Sequence, residues 1–212
     1  MESGLKTEYP LETGVGVATR LEDLPRFRDP DCAALVWNRL APQGLKDWIN
    51  GLDPAHLPRW REVVAAEAVS EAVLDACEEA GTPECEERTA LIADIQALSH
   101  AFAELMETSC VQLRLDVIKS NACRRFHVDA ITARMVCTYR GTGTQFGTSH
   151  GGQEPTRIHT VSSQSPIFLR GSLWSETPAS NLLHRSPPIE GTGETRLLLV
   201  LDPASDSTES DD

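Results

Sequence analysis

A histidine and an aspartate two residues apart, His127 and Asp129, stand in the stretch CRRFHVDAITARM, and a further histidine, His184, follows in LLHRSPP. On an extended strand, residues i and i+2 point to the same side, so the imidazole and the carboxylate can converge on one ion. His184 belongs to a later segment that also reads as a strand. Two imidazoles and one carboxylate are the set that binds one face of Fe(II) and leaves three positions open for substrate and dioxygen. The same set binds zinc, so the ligands alone leave both metals open. Twelve residues beyond His184 comes Arg196, at the start of RLLLVLD. A guanidinium there can hold the far carboxylate of a chelating 2-oxo acid in a charge-assisted pair.

Several neighbours compete for roles at such a site. Arg134 and Arg140 are rival anion partners, but their parity is opposite to that of His127 and Asp129. An uninterrupted strand therefore aims both arginines away from the metal. Tyr139 has the matching parity and can either donate to a bound carboxylate or fill the core. Cys123 and Cys137 can add soft ligands that favour zinc, or pack as small apolar fillers.

The elements that position these residues follow from periodicity. Residues 1–30 are polar and rich in turn formers and read as an irregular arm. Residues 31–109 read as helical: a short helix over Asp31 to Leu40, another over Gly44 to Asn50, then two longer ones. In the first of these, Trp60, Val63, Val64, Ala68, Ala72, Val73 and Cys77 recur at helical spacing, with Gly81 as a stop. Thr82, Pro83 and Glu84 form a capping start to the second, whose apolar stripe runs from Leu91 to Met106. The pair reads as an αα-hairpin with a solvated acidic face. After Ser109 the period changes to two, at Val111, Leu113, Leu115 and Val117 and again from Ile131 to Tyr139. Short runs broken by Gly, Pro and Ser continue to Leu201 and indicate a β-sandwich or barrel over 110–202. Residues 203–212 read as a disordered acidic tail.

Composition narrows the function classes. The net charge of −13 argues against nucleic acid. The charge is uneven: residues 1–109 hold 9 basic and 21 acidic groups, whereas 110–201 hold 10 basic and 6 acidic, nine of the ten being arginine. An arginine-bearing β region within an acidic chain fits a small anionic substrate, and the acidic helical half offers a surface for a protein partner. The longest aliphatic run, Leu197 to Leu201, is far below the roughly 20 residues that span a bilayer. The first residues, MESGLKTEYP, lack the apolar stretch expected of a secretory signal, and the six cysteines form no CxxC pair. A cytoplasmic protein with reduced thiols is expected.

The stretches CRRFHVDAITARMVCTYRGTGT, LRGSLW, LLHRSPP and RLLLVLD resemble a bacterial domain-of-unknown-function family. More widely, HxD, a distant His and an Arg a dozen residues later resemble the Fe(II)/2-oxoglutarate-dependent oxygenases. The resemblance covers about residues 110–202 and implies a cupin-like double-stranded β-helix (jelly-roll) there; with the N-terminal helical half read from periodicity packed on it, the expected fold class is α+β. The resemblance also implies His127, Asp129 and His184 as metal ligands and Arg196 as the 2-oxoglutarate partner. Fe(II) and 2-oxoglutarate are then the expected cofactors. The alternative is a cupin-like zinc or other divalent-metal protein, serving metal homeostasis or Lewis-acid chemistry without oxygenase activity.

Overall fold

A computed structural model describes residues 14–149, 151–174 and 181–205, and among these the chain forms ten strands and three α-helices. In chain order they are β1 (Val15–Ala18), β2 (Ala34–Trp37), α1 (Leu45–Gly51), β3 (Trp60–Ala65), α2 (Val69–Glu79), α3 (Glu86–Met106), β4 (Cys110–Ile118), β5 (Ala133–Arg140), β6 (Gln145–Thr148), β7 (His159–Thr160), β8 (Ile167–Arg170), β9 (Leu182–Arg185) and β10 (Arg196–Ala204). They build a seven-stranded sheet in the order β1-β2-β8-β5-β10-β4-β3 and a three-stranded sheet in the order β7-β6-β9. Mixed α+β architecture around one large sheet is the result. No helix among the described residues is long and apolar enough to cross a membrane.

The large sheet is covered on both faces, and its sequences record this. Along β4 the alternation is strict: Val111, Leu113, Leu115 and Val117 are buried against the helices, while Gln112, Arg114 and Asp116 take the other face. The central strand β10 is apolar on both faces because both are packed. Leu197, Leu199 and Leu201 join the helix-side core with Phe102 and Leu91 of α3. Leu198 and Val200 join Phe146 of β6 and Leu182 of β9 in the core between the sheets. Arg196 and Asp202 share the parity of Leu198 and Val200, which places them on the intersheet face.

Helices α2 and α3 form over the later parts of the two predicted stripes, and Gly81 takes the left-handed φ of +63° just past α2. Other details differ from the sequence reading. Residues 34–37 form a strand rather than a helix, because a short apolar run has no intrinsic helical bias and here pairs with β1 and β8. The stripe beginning at Trp60 is two elements: β3 pairs antiparallel with β4, and the helix begins only at Val69. Helix α3 starts at Glu86 rather than at Thr82, whose hydroxyl instead donates to the His56 carbonyl. The arm contains β1 and a 3-10 helix, Leu21–Arg28, in its described part. Strand β10 runs to Ala204, past the expected start of the tail. Residues 1–13 of the arm and 206–212 of the tail lie outside the described residues.

Helices and sheet are joined by a buried polar cluster. Arg39 grips Asp94 of α3 with both terminal nitrogens, at 2.5 and 2.7 Å, and Tyr139 donates to the same carboxylate at 2.5 Å. Burial pushes the Cys137 thiol beside them up to about 12 and the Tyr139 phenol upward as well. Removing the shared carboxylate strands an arginine in the core. Asp94→Ala is expected to cost about 3–5 kcal/mol, read as a lower denaturation midpoint with an unchanged slope.

Candidate metal centre

Two separate backbone segments bring the histidines together. His127 lies on no strand, but it exchanges both of its backbone hydrogen bonds with His184 of β9, each at 3.0 Å. The pairing sets the two imidazoles side by side, with centroids 4.5 Å apart. His127 Nδ1 lies 2.8 Å from the Arg125 carbonyl. A carbonyl only accepts, so Nδ1 carries the proton and Nε2 keeps its lone pair for an ion. That Nε2 is 3.4 Å from Asp129 Oδ1, and His184 Nε2 is 3.1 Å from Asp129 Oδ2. One ligand atom from each of the three side chains lies within 4.8 Å of the others.

Asp129 is poised as a ligand. Burial alone raises a carboxyl, but here the His184 contact and the charges of His184, Arg134 and His127 outweigh it and hold the group at about 2. An ion therefore displaces no proton from it in the neutral range. Oδ2 is buried and, though these groups approach it, accepts no well-aligned hydrogen bond. A carboxylate with one oxygen near each imidazole nitrogen, and no aligned hydrogen bond to Oδ2, is a ligand that a divalent cation fits. The lowered value also contributes stability that is present above the ordinary carboxyl range and lost as the pH falls toward 2.

The loop carrying Asp129 is held from behind by residues 171–173. Gly171 N–H donates to Thr132 O, Ser172 N–H to Asp129 O and Leu173 N–H to Ile131 O. A Cβ on Gly171 would stand 1.9 Å from Ile131 O and 2.8 Å from Asp129 O. Gly171→Ala must therefore push this loop outward. It is expected to weaken Co(II) binding about 10-fold or more while the circular dichroism stays near wild type, since loss of outer support for a ligand costs of that order.

Arg196 is wholly buried. Its Nε donates to Thr142 O at 2.7 Å, but both terminal nitrogens lack a hydrogen-bond partner. Glu194, the nearest carboxylate in sequence, is bound instead by the Thr142 amide and hydroxyl. Burial pushes Arg196 down to about 10, against the pull of the Glu194 charge. A fork so placed can pair with an anion.

Parity misplaces Arg134 and Tyr139 and turns Arg140 away from the metal for the wrong reason. Residues 128–132 are not a strand, so the phase of Arg134 is independent of that of Asp129, and Arg134 Nη1 lies 2.8 Å from Asp129 Oδ2. Tyr139 faces the helices and Asp94, so it donates to no carboxylate at the metal. A bulge between Leu197 and Leu198 reverses the phase of β5, and Arg140 turns to the α1 side, where it donates to Leu52 O. Cys137 lies in the helix-side core, and Cys123 is exposed and outside the ligand group. Two further residues, Asp202 and Arg114, complete the surroundings. Their parity with Arg196 on β10 and along β4 was a usable signal, since charged residues at those positions must lie on the intersheet face.

The family described as "Protein of unknown function (DUF1826)" matches residues 18–202. The chain belongs to the DUF1826 family. No curated protein sequence matches it. Among solved structures it is similar to dioxygenase for auxin oxidation 1 from Arabidopsis thaliana in its complex with 2-oxoglutarate. That match has a TM-score of 0.53 at 9% identity, over 93% of this chain and 94% of that one. The rice dioxygenase for auxin oxidation matches with a TM-score of 0.52 at 14% identity, over 92% of this chain and 84% of that one. At such identities the likeness is one of fold. This DUF1826 protein thus has the fold of these dioxygenases and carries a His-Asp-His group.

Proposed function

We propose that this protein is a non-haem Fe(II)- and 2-oxoglutarate-dependent oxygenase acting on a small anionic substrate in the cytoplasm. The two sheets are read as the large and small sheets of a double-stranded β-helix, with the His127 segment bridging to β9 as a reduced strand. His127, Asp129 and His184 hold the ion, and Arg196 holds the distal carboxylate of the cosubstrate. Held together there, Fe(II) and 2-oxoglutarate would reduce dioxygen to an oxidant strong enough for C–H bonds, with 2-oxoglutarate losing carbon dioxide to become succinate. The chain supplies the geometry: Arg125 O fixes the His127 tautomer, Asp129 stays ionised, and Thr142 O orients the Arg196 fork.

One observation carries this reading beyond a generic metal site: the buried Arg196 fork has no anion of its own. A buried guanidinium is costly unless paired, and a dicarboxylate anchored at the metal supplies the pair. Cys123 and Cys137, the soft ligands that would favour zinc, lie outside the ligand group, while the two histidines and Asp129 accept either metal. The oxygenase reading is tested by anaerobic addition of Fe(II) and then 2-oxoglutarate to the apoprotein. A saturable, weak visible charge-transfer band is the expected result. No band, with tight stoichiometric zinc in the protein as isolated, overturns it in favour of a divalent-metal protein without oxygenase activity.

A further inference from the structure

Arg134 looks at first like a second anion site, since it stands beside the metal carboxylate. Its donors are already committed. Nε and Nη2 take both oxygens of Asp202, at 2.6 and 2.7 Å, in a bidentate fork. The remaining Nη1 forms an ion pair with Asp129 Oδ2, 2.8 Å away. Asp202 is itself held by Arg114 Nη2 at 3.1 Å. All four side chains are 15–18% exposed, so the chain Arg114–Asp202–Arg134–Asp129 is largely shielded from water. Arg114 comes from β4, Asp202 from β10 and Arg134 from β5, the three adjacent central strands of the large sheet. Asp129, by contrast, lies in an irregular loop.

We propose that Arg134 is a positioning residue: anchored by Asp202 to the rigid centre of the sheet, it fixes the rotation of the Asp129 carboxylate toward the two histidines. The inference rests on the metal site being His127, Asp129 and His184. It assigns to Arg134 a role other than cosubstrate binding, because its bidentate fork is spent on Asp202 whereas that of Arg196 is free. It also makes Asp202 and Arg114 parts of the metal site, although neither faces the ion directly.

The experiment is a titration of the full chain with Co(II), whose visible bands report both affinity and coordination geometry. Arg134→Met is expected to weaken Co(II) binding 10- to 100-fold, the usual effect of losing an outer partner of a ligand, and to alter the band intensities. Arg134→Lys keeps the charge but not the fork; it is expected to weaken binding at least about threefold with the same altered spectrum, because an ammonium lacks the planar geometry. If the Met variant does not fold, the Lys variant decides. Wild-type affinity and spectrum in the Lys variant, or tighter Co(II) binding in the Met variant, overturns the proposal. So does a loss confined to 2-oxoglutarate affinity, which marks Arg134 as a cosubstrate residue. The site reading fails separately, if wild-type protein binds no stoichiometric Co(II) or His127→Ala binds it unchanged.

Discussion

His127→Ala is expected to lower divalent-metal affinity by more than about 100-fold, since loss of merely an outer partner already costs up to that much. The fold should survive the change. What His127 gives to the architecture is its backbone pair with His184, and alanine keeps both of those hydrogen bonds. Its side chain is about a third exposed and fills no core position. Metal analysis and circular dichroism on the same sample separate the two contributions: helical content near wild type, with the metal gone. Retained stoichiometric metal would show that the ion sits elsewhere.

Arg196→Met should move two properties in opposite directions. In the ligand-free protein the arginine is a buried charge with two unsatisfied nitrogens. Methionine matches much of its length without that penalty, so the apoprotein is expected to gain about 1–3 kcal/mol, as when buried charges give way to apolar groups of similar volume. On the function proposed above, the same change removes the partner of the cosubstrate's distal carboxylate. Truncating one side of a buried, hydrogen-bonded charge pair costs about 2–5 kcal/mol, so 2-oxoglutarate affinity should fall roughly 30-fold or more. A higher melting temperature combined with lost stabilisation by 2-oxoglutarate is the diagnostic pattern. A destabilised variant that still binds 2-oxoglutarate contradicts the assignment.

Much of the site could be read from residue types and spacing. The histidines and Asp129 announce a ligand set, and Arg196 follows at a distance that one turn and a new strand account for. What failed was inference of side-chain direction over longer stretches. Phasing Arg134 and Tyr139 from Asp129 assumes one strand running through them, yet residues 128–132 break the first phase and a bulge breaks the second, so that Arg140 turns from the metal for another reason. Period two is informative only within one uninterrupted strand. In the N-terminal half, β2 and β3 look helical because four to six apolar or β-branched residues fit either period; the partner strands decide, and they lie far away in sequence. Asp202 falls within the expected β region, at the end of the apolar run of β10, but no spacing in the sequence marks it as the partner of Arg134.

The mutual backbone pair of His127 and His184 also has a kinetic meaning. Residues so distant along the chain meet only after the intervening strands β5 to β8 have formed and the small sheet has closed on the large one. Long-range contacts of this kind form late, once loop-closure entropy has been met. An ion recognising the assembled group has little to hold in the folding transition state. Metal should therefore leave the refolding rate nearly unchanged and slow unfolding instead, giving the loaded protein a persistence that equilibrium stability alone understates.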